Sequence, residues 1–209
     1  MKKLAIKLCG FTNKETVDLA VRCKANFIGF VFYPPSRRFI SATKAAQIAT
    51  DMPKNVKKVA VVVNPEDDDL EQIIQNLKPD FLQLHETDFG RTVEIKNKFK
   101  TPIIKAFALT KAEDLQQLKQ YDEVADYFLF DAKNKEVGGA GRVFDWNILK
   151  DLNTKKEWFL SGGLNAGNIK KALKETGAKM IDLSSGIEEV KGVKSPALIV
   201  SLMSKLVMN

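Results

Sequence analysis

The sequence predicts a single-domain α/β protein over residues 1–209, folded as a (β/α)8 barrel, or TIM barrel. Short apolar runs alternate with amphipathic stretches along the whole chain. Eight such pairs leave about 26 residues for each, close to the minimum for a strand–helix unit with short loops. The runs are rich in Val, Ile, Leu and Phe without clean alternation, which is typical of parallel strands buried on both faces. An open, doubly wound sheet would also alternate in this way, but eight similar units favour a closed barrel.

The eight predicted strands are the apolar runs, and each ends in small or polar residues. They cover residues 4–9, 27–32, 58–63, 81–85, 103–108, 127–131, 158–161 and 180–184. Such a run is expected of a strand whose two faces are both covered, since neither face meets water. No linker or low-complexity segment divides the series.

Helix-start signals precede several of the amphipathic stretches. Thr12 with Glu15 resembles a capping box, and Ser41 is a suitable N-cap for the second helix. Ser195 followed by Pro196 combines a cap with proline at the first helical position, which predicts the start of the last helix.

The remaining helices are predicted by periodicity. A stripe with the spacing i, i+3, i+4 and i+7 begins at Leu70 and predicts the third helix. Only partial periodicity supports helices over 88–99, 111–120 and 145–152. We expect a further helix to begin near Asn165, after the seventh strand.

Composition excludes several classes of protein. The 33 Lys and Arg residues exceed the 26 Asp and Glu residues, giving a formal charge of +7. The basic residues are scattered, which is typical of a solvated surface rather than a nucleic-acid-binding patch. No apolar run approaches the ~18 residues of a membrane span, and Lys7 interrupts the run that imitates a secretory signal. We expect a cytoplasmic protein with no nucleic-acid or membrane partner.

Metal-ligating residues are scarce. The chain has two cysteines, Cys9 and Cys23, and one histidine, His85, and no pair of them has the spacing of a metal site. We therefore expect no metal site, and a Ser-His-Asp or histidine-based metal mechanism would have to run through His85 alone.

In this fold the carboxyl ends of the strands share one mouth, where active sites lie. Cys9 ends the first strand, and Lys7, two residues earlier on the same face, would lower its pKa and favour the thiolate. Asp131 ends the sixth strand after an apolar run, where partial desolvation raises a carboxyl pKa and suits it to donate a proton. Cys9 as a small buried residue, and Asp131 as a helix cap or an ion pair with Lys133, are the structural alternatives.

Small residues end the last two strands. Gly162 and Gly163 follow the seventh strand, and Ser184, Ser185 and Gly186 follow the eighth. Glycines let the backbone approach an anion closely, and in this fold these two loops often bind a phosphate group. A Gly-Gly pair alone is usually just a turn, but two such loops in these places favour a phosphorylated small-molecule substrate.

Segments from the first strand to the last resemble, in family order, the phosphoribosylanthranilate isomerases of tryptophan biosynthesis. They are KLCGFT (7–12), GFVFY (29–33), SRRFIS (36–41), QLH (83–85), FDAK (130–133), GGAGRVFDW (138–146), LSGGL (160–164) and DLSSGIE (182–188). The resemblance implies a (β/α)8 enzyme that carries out an Amadori rearrangement without a cofactor, as a monomer or homodimer.

The resemblance also implies roles for single residues. Asp131 matches the family's general acid and Cys9 its general base. Arg38 matches the arginine that holds the anthranilate carboxylate, although the neighbouring Arg37 leaves the register open by one residue. His85 is expected at the mouth in a positioning or substrate-binding role, and Asp182 is expected to orient groups near the phosphate loops, unless it makes only a structural hydrogen bond.

Two departures from the family pattern are visible. Glu86 stands where the family usually has glycine, and Phe11 replaces an aliphatic residue. Residues 138–141 form a glycine-rich stretch that we interpret as a lid over the substrate, with a simple turn as the alternative.

Three other functions compete with this interpretation. The histidine-pathway Amadori isomerases share the fold but use an aspartate where this chain has Cys9, and their half-barrel repeat is not evident here. Indoleglycerol-phosphate synthases need a lysine and glutamates at the mouth that this sequence does not offer. Nucleic-acid binding has only Arg37 and Arg38 as local support, and salt-dependent DNA binding would test it.

Overall fold

The computed structural model describes residues 4–132 and 145–207, and these form a closed barrel of eight parallel strands. The strands are β1 Ala5–Cys9, β2 Phe27–Val31, β3 Lys57–Val63, β4 Phe81–His85, β5 Ile103–Leu109, β6 Tyr127–Ala132, β7 Trp158–Leu160 and β8 Met180–Leu183. They are arranged in chain order, and β1 pairs with β8 to close the barrel. The predicted fold class is confirmed, and each predicted strand end lies within one residue of the observed one.

Six α-helices of the described residues cover the barrel. They are α1 Lys14–Arg22, α2 Ala42–Ile48, α3 Asp67–Leu77, α4 Phe89–Phe99, α5 Ile169–Thr176 and α6 Pro196–Val207. The segments Ala112–Tyr121 and Trp146–Asp151, after β5 and β6, are 3-10 helices rather than the α-helices that we predicted. Their apolar periodicity is only partial, so each has a narrow buried stripe and little to hold a regular α-helix.

The helix starts follow local capping chemistry. The predicted capping box of Thr12 and Glu15 is wrong, because the Asn13 side chain is the cap of α1 and accepts from the Thr16 N–H at 3.0 Å. The predicted Ser41 cap is confirmed, since its Oγ accepts from the Lys44 N–H at 3.3 Å. Helix α5 begins at Ile169, later than expected, because residues 165–168 form a turn.

Aromatic rings fill the amino-terminal half of the barrel. Phe27 and Phe159 meet edge to face at 5.2 Å between ring centroids, and Phe81 and Tyr127 do so at 5.5 Å. Each ring lies at or near the first residue of its strand. Because large apolar side chains occupy this end, the inward-facing polar side chains lie toward the carboxyl ends of the strands.

After β8 the chain forms a small hairpin at the mouth. Its strands are β9, Glu188–Val190, and β10, Val193–Lys194, which pair antiparallel. The tip packs on the loop after β2, because a Cβ at Gly192 would come within 2.8 Å of the Arg37 carbonyl oxygen. Within residues 4–132 and 145–207, no helix is long and apolar enough to cross a bilayer.

Candidate active site

The predicted general base lies at a closely packed position on the inner face of β1. Cys9 is 5% exposed, and the absence of a side chain at Gly29 makes room for it, since a Cβ there would come within 2.6 Å of the Cys9 Sγ. Burial raises the pKa of Cys9, while the Lys7 ammonium lowers it by charge and by a hydrogen bond. The sequence-based expectation of a lowered pKa is therefore wrong in its net direction, because burial outweighs the lysine.

Lys7 is fully buried in an ion pair beneath Cys9. Its Nζ lies 2.8 Å from Oδ1 of Asp182, the residue beside it across the β1–β8 pairing. Burial by itself would lower the pKa of Lys7, but Asp182 and Cys9 raise it above the ordinary value, so the lysine stays protonated. Ser161 Oγ donates to the other oxygen of Asp182 at 3.3 Å. Asp182 thus pairs with Lys7 and Ser161, contacts that the sequence did not reveal, and its role near the phosphate loops stays a prediction.

Arg38 is held by a carboxylate from the far end of the chain. Its Nε and Nη2 donate to the two oxygens of Glu188 at 2.7 and 2.8 Å. Lys194 Nζ, 1% exposed, donates to the same carboxylate at 2.6 Å. Burial raises the pKa of Glu188, but the hydrogen bonds from Arg38 and Lys194 outweigh it and lower the pKa to about 2. Sequence reasoning gave neither Glu188 nor Lys194 a role.

The geometry around Arg38 bears on the register question. Its side chain is partly buried over Gly10, where a Cβ would come within 2.6 Å of the Arg38 Cδ, whereas Arg37 is exposed. A guanidinium has five N–H donors, and Glu188 engages two of its nitrogens. The Nη1 group and the second Nη2 hydrogen remain, and together they are suited to a second carboxylate.

The mouth end of β4 carries the single histidine. His85 Nε2 lies 2.7 Å from the side-chain nitrogen of Gln83. Burial, with a smaller effect of the Lys7 charge, lowers the pKa of His85 to about 4, so the ring is neutral at pH 7. A neutral imidazole is suited to hydrogen bonding with a ligand rather than to pairing with an anion.

The predicted general acid lies on the opposite side of the mouth. Asp131 is half-buried near the end of β6, and it shares the inner face of that strand with the buried Leu129. Strands β7 and β8 separate it from β1, so Asp131 and Cys9 border the mouth from two sides. The alternative ion pair with Lys133 concerns a residue outside the described ranges.

The loops after β7 and β8 pack against each other. Gly162 and Gly163 have φ values of +89° and +65°, which glycine adopts without strain. A Cβ at Gly186 would overlap the Leu164 carbonyl oxygen, so glycine is required where the two loops meet. The backbone N–H groups of both loops are thereby brought to one edge of the mouth.

Ser184 links the loop after β8 to β1. Its Oγ donates to the Cys9 carbonyl oxygen at 3.1 Å, and its own carbonyl oxygen accepts from Lys194 Nζ at 2.9 Å. Lys194 therefore brings positive charge to this loop as well as to Glu188. Ser184 and Arg38, both predicted to bind substrate, are thereby joined to Cys9 by one set of hydrogen bonds.

The two departures from the family pattern have structural explanations. Glu86 has φ +51°, in the left-handed region that favours glycine. Phe11 is fully buried, and the Lys194 ammonium lies 6.0 Å from the centroid of its ring. The predicted lid, residues 138–141, lies outside the residues that the structure describes.

Fold and mouth together are typical of a (β/α)8-barrel enzyme that uses side chains for acid–base chemistry. A family model described as N-(5'phosphoribosyl)anthranilate (PRA) isomerase matches residues 6–205. The chain belongs to this family. A relative named N-(5'-phosphoribosyl)anthranilate isomerase, from Rhizobium etli, is 43% identical over 199 residues, covering 93% of this chain and 90% of its own.

Solved structures of two family members are also similar. The phosphoribosyl anthranilate isomerase of Thermotoga maritima is 31% identical, with a TM-score of 0.88, over 99% of this chain and 100% of that one. A second structure, at 27% identity and a TM-score of 0.83 over the same shares, is the enzyme in complex with reduced 1-(o-carboxyphenylamino)-1-deoxyribulose 5-phosphate.

Proposed function

We propose that this chain catalyses the Amadori rearrangement of N-(5'-phosphoribosyl)anthranilate to 1-(2-carboxyphenylamino)-1-deoxyribulose 5-phosphate, a step of tryptophan biosynthesis. Membership of the family supports the reaction. The structural observation that carries the proposal is the grouping of Cys9 and Arg38 with the loops after β7 and β8 at one mouth. This grouping supplies a base, an arginine that binds the substrate carboxylate, and a phosphate-binding rim to one elongated substrate.

The two anionic ends of the substrate have separate binding groups. The free edge of the Arg38 guanidinium binds the anthranilate carboxylate, and a planar fork favours two parallel hydrogen bonds. The phosphate binds to the backbone N–H groups of the loops after β7 and β8, at Gly162, Gly163, Ser184, Ser185 and Gly186. Holding both ends fixes the reacting carbons between the acid and the base.

The first chemical step opens the sugar ring. Asp131 donates a proton to the furanose ring oxygen, and the bond from that oxygen to C1 breaks. The nitrogen lone pair forms the C1–nitrogen double bond of an iminium ion. A positioned acid typically contributes about 10²–10⁴-fold to such a step.

The second step removes the proton at C2. The Cys9 thiolate takes this proton, the C–H electron pair forms a C1–C2 double bond, and the iminium nitrogen recovers its lone pair. The resulting enol-amine becomes the ketone by moving the hydroxyl proton to C1. The iminium nitrogen is the electron sink, so the reaction requires no cofactor. Lys7 stabilises the thiolate while it exists, which offsets part of the cost of ionising a buried thiol.

A fluorescence assay tests the proposal. Phosphoribosylanthranilate is made in situ from anthranilate, and the decay of its fluorescence is followed with and without the protein. We expect turnover by the wild-type chain and none above background by Cys9→Ala purified in the same way, a control for contaminating isomerase. Equal decay with and without the wild-type protein would refute the proposed function.

We further propose that residues 1–209 act as one catalytic domain, either as a monomer or as a homodimer, with no nucleic-acid partner and in the cytoplasm. Light scattering at several concentrations distinguishes the two assembly states. Salt-dependent DNA binding would argue against the absence of a nucleic-acid partner.

A further inference from the structure

One polar atom inside the barrel is left unmatched. Gln83 lies on the inner face of β4 and is 2% exposed. Its amide nitrogen meets His85, but its Oε1 has no hydrogen-bond partner within the described part of the chain. Buried side-chain amides are almost always fully paired, so an unmatched one on the inner face of the barrel, beside the mouth residue His85, points to a ligand group.

Exchanging the amide oxygen and nitrogen of Gln83 does not remove the problem. If the amide donates to His85 Nε2, its oxygen is unmatched. If the neutral ring donates to the amide oxygen instead, the NH2 group is unmatched. A hydroxyl group satisfies either arrangement, because it donates to an oxygen and accepts from an N–H.

Neighbouring side chains do not supply the missing partner. The charges of Lys7 and Asp182 act on His85 across the barrel, but these two residues are paired with each other. Ser161 donates its hydroxyl to Asp182. Lys105, whose charge also acts on His85, donates to the Ala106 carbonyl oxygen.

The position of Gln83 suits the middle of the proposed substrate. Strand β4 lies opposite β8 in the eight-stranded ring, so Gln83 faces the side that carries the proposed phosphate loops. It lies two residues before the end of its strand, deeper in the barrel than His85. A substrate held at its phosphate by those loops and at its carboxylate by Arg38 has its pentose hydroxyls between them.

We propose that Gln83, together with His85, binds one hydroxyl group of the pentose chain and selects for substrates that carry it. This inference rests on the proposed function. A site built to hydrogen-bond a hydroxyl rejects an analogue that lacks it, because the polar groups of the site are then left unpaired. Gln83 is thus a specificity-determining residue.

The test is a binding cycle with matched ligands. Titration calorimetry measures the affinity of the reduced product 5-phosphate and of derivatives that lack one pentose hydroxyl, for the wild type, Gln83→Leu and Gln83→Met. We expect one derivative to bind the wild type at least about tenfold more weakly than the parent, and both variants to lose this discrimination. Gln75→Leu, on the exposed face of α3, is the surface control and should behave as the wild type.

The outcomes separate this inference from the proposed function. If the wild type fails to bind the parent ligand, the proposed function and this inference fall together. The wild type can bind the parent ligand while each deoxy derivative loses the same affinity in the wild type as in the variants. In that case only the assignment of Gln83 is refuted. Thermal unfolding checks that the variants are folded at the temperature of the titrations.

Discussion

At the scale of single residues, burial and a neighbouring charge act against each other on Cys9. The apolar surroundings that exclude water from the mouth raise the pKa of the thiol, and Lys7 lowers it. The proposed base is therefore mostly protonated at pH 7, and in the proposed mechanism the small thiolate fraction performs the reaction. Such a thiolate is a stronger base than one with a depressed pKa, which suits the removal of a carbon-bound proton.

The acid and base should each be indispensable. Cys9→Ala and Asp131→Asn should each lower kcat by at least about 10²-fold, with smaller changes in KM. Because the pKa of Cys9 is raised, wild-type kcat/KM should increase with pH above neutrality, and Cys9→Ala should abolish this limb. Stopped-flow turnover over a range of pH measures both effects. Cys23→Ala, at the end of α1, is the matched control, and near-normal kcat in either active-site variant would contradict the mechanism.

At the scale of elements, the hairpin after β8 fixes the loop after β2. Glu188 on the hairpin orients the Arg38 guanidinium, and Gly192 at its tip packs on the Arg37 backbone. Two loops that are distant in sequence therefore form one rigid wall of the mouth. The edge of Arg38 that we propose to bind the substrate carboxylate is set by this wall rather than by the loop that carries it.

Arg38 and Arg37 offer a matched pair of variants. Arg38→Ala should raise KM and lower kcat, because a misplaced aromatic ring removes the reacting geometry. Arg38→Lys should recover only part of the loss, since lysine lacks the planar fork. Arg37→Ala, at an exposed position, should leave both constants near wild type. Steady-state kinetics measure both constants for each variant. If Arg37→Ala changes kcat and KM while Arg38→Ala leaves them at wild-type values, the assignment shifts by one residue.

Glu188 should make the stability of the hairpin depend on pH. Its folded pKa of about 2 lies below the ordinary value of 4.5, so its contribution is complete above about pH 5 and is lost as pH falls toward 2. Glu188→Gln should lower the free energy of unfolding by roughly 3 kcal/mol at pH 7, because Arg38 and Lys194 lose their buried counter-charge. Urea unfolding should show this difference shrinking between pH 4.5 and pH 2. A difference that is constant over this range would argue against the ion pair.

At the scale of the whole molecule, the barrel places its aromatic core and its candidate functional residues at opposite ends. Aromatic rings close its amino-terminal half, and charged and small residues gather at the other end. Lys7, Arg38 and Lys194 are all cations inside or at the edge of the mouth, with Asp182 and Glu188 as their partners. The remaining positive charge favours a substrate with two anionic ends.

The phosphate rim can be tested on the intact protein. Removing the phosphate from the reduced product analogue should weaken its binding by at least about tenfold, since charge-assisted hydrogen bonds to the loops are lost. Gly186→Ala should abolish most of this preference, because its Cβ would push the loop off Leu164. Gly90→Ala on α4, where a Cβ meets only an ordinary contact, is the control. Equal calorimetric affinities for the two analogues would show that the phosphate does not bind at these loops.

The sequence by itself determined the barrel, its strand bounds and the residues at the strand ends. An apolar run that stops at a polar residue is a local signal, and the fold places all such stops at one mouth. Cys9, Asp131 and the glycine loops could be identified in this way, whereas Arg38 was identified only by resemblance to the family. The same local reasoning failed for the two 3-10 helices and for the cap of α1, where neighbouring interactions compete closely.

Only the tertiary structure decided which side chains meet. Arg38 and Glu188 are 150 residues apart in the chain, and Lys7 and Asp182 are 175 apart. Neither pair has a spacing or a periodicity that sequence analysis could detect. The raised pKa of Cys9 and the unmatched oxygen of Gln83 likewise depend on how completely water is excluded from the barrel. The burial and the pairing of a side chain depend on contacts with many distant segments, so no single segment of the sequence reveals them.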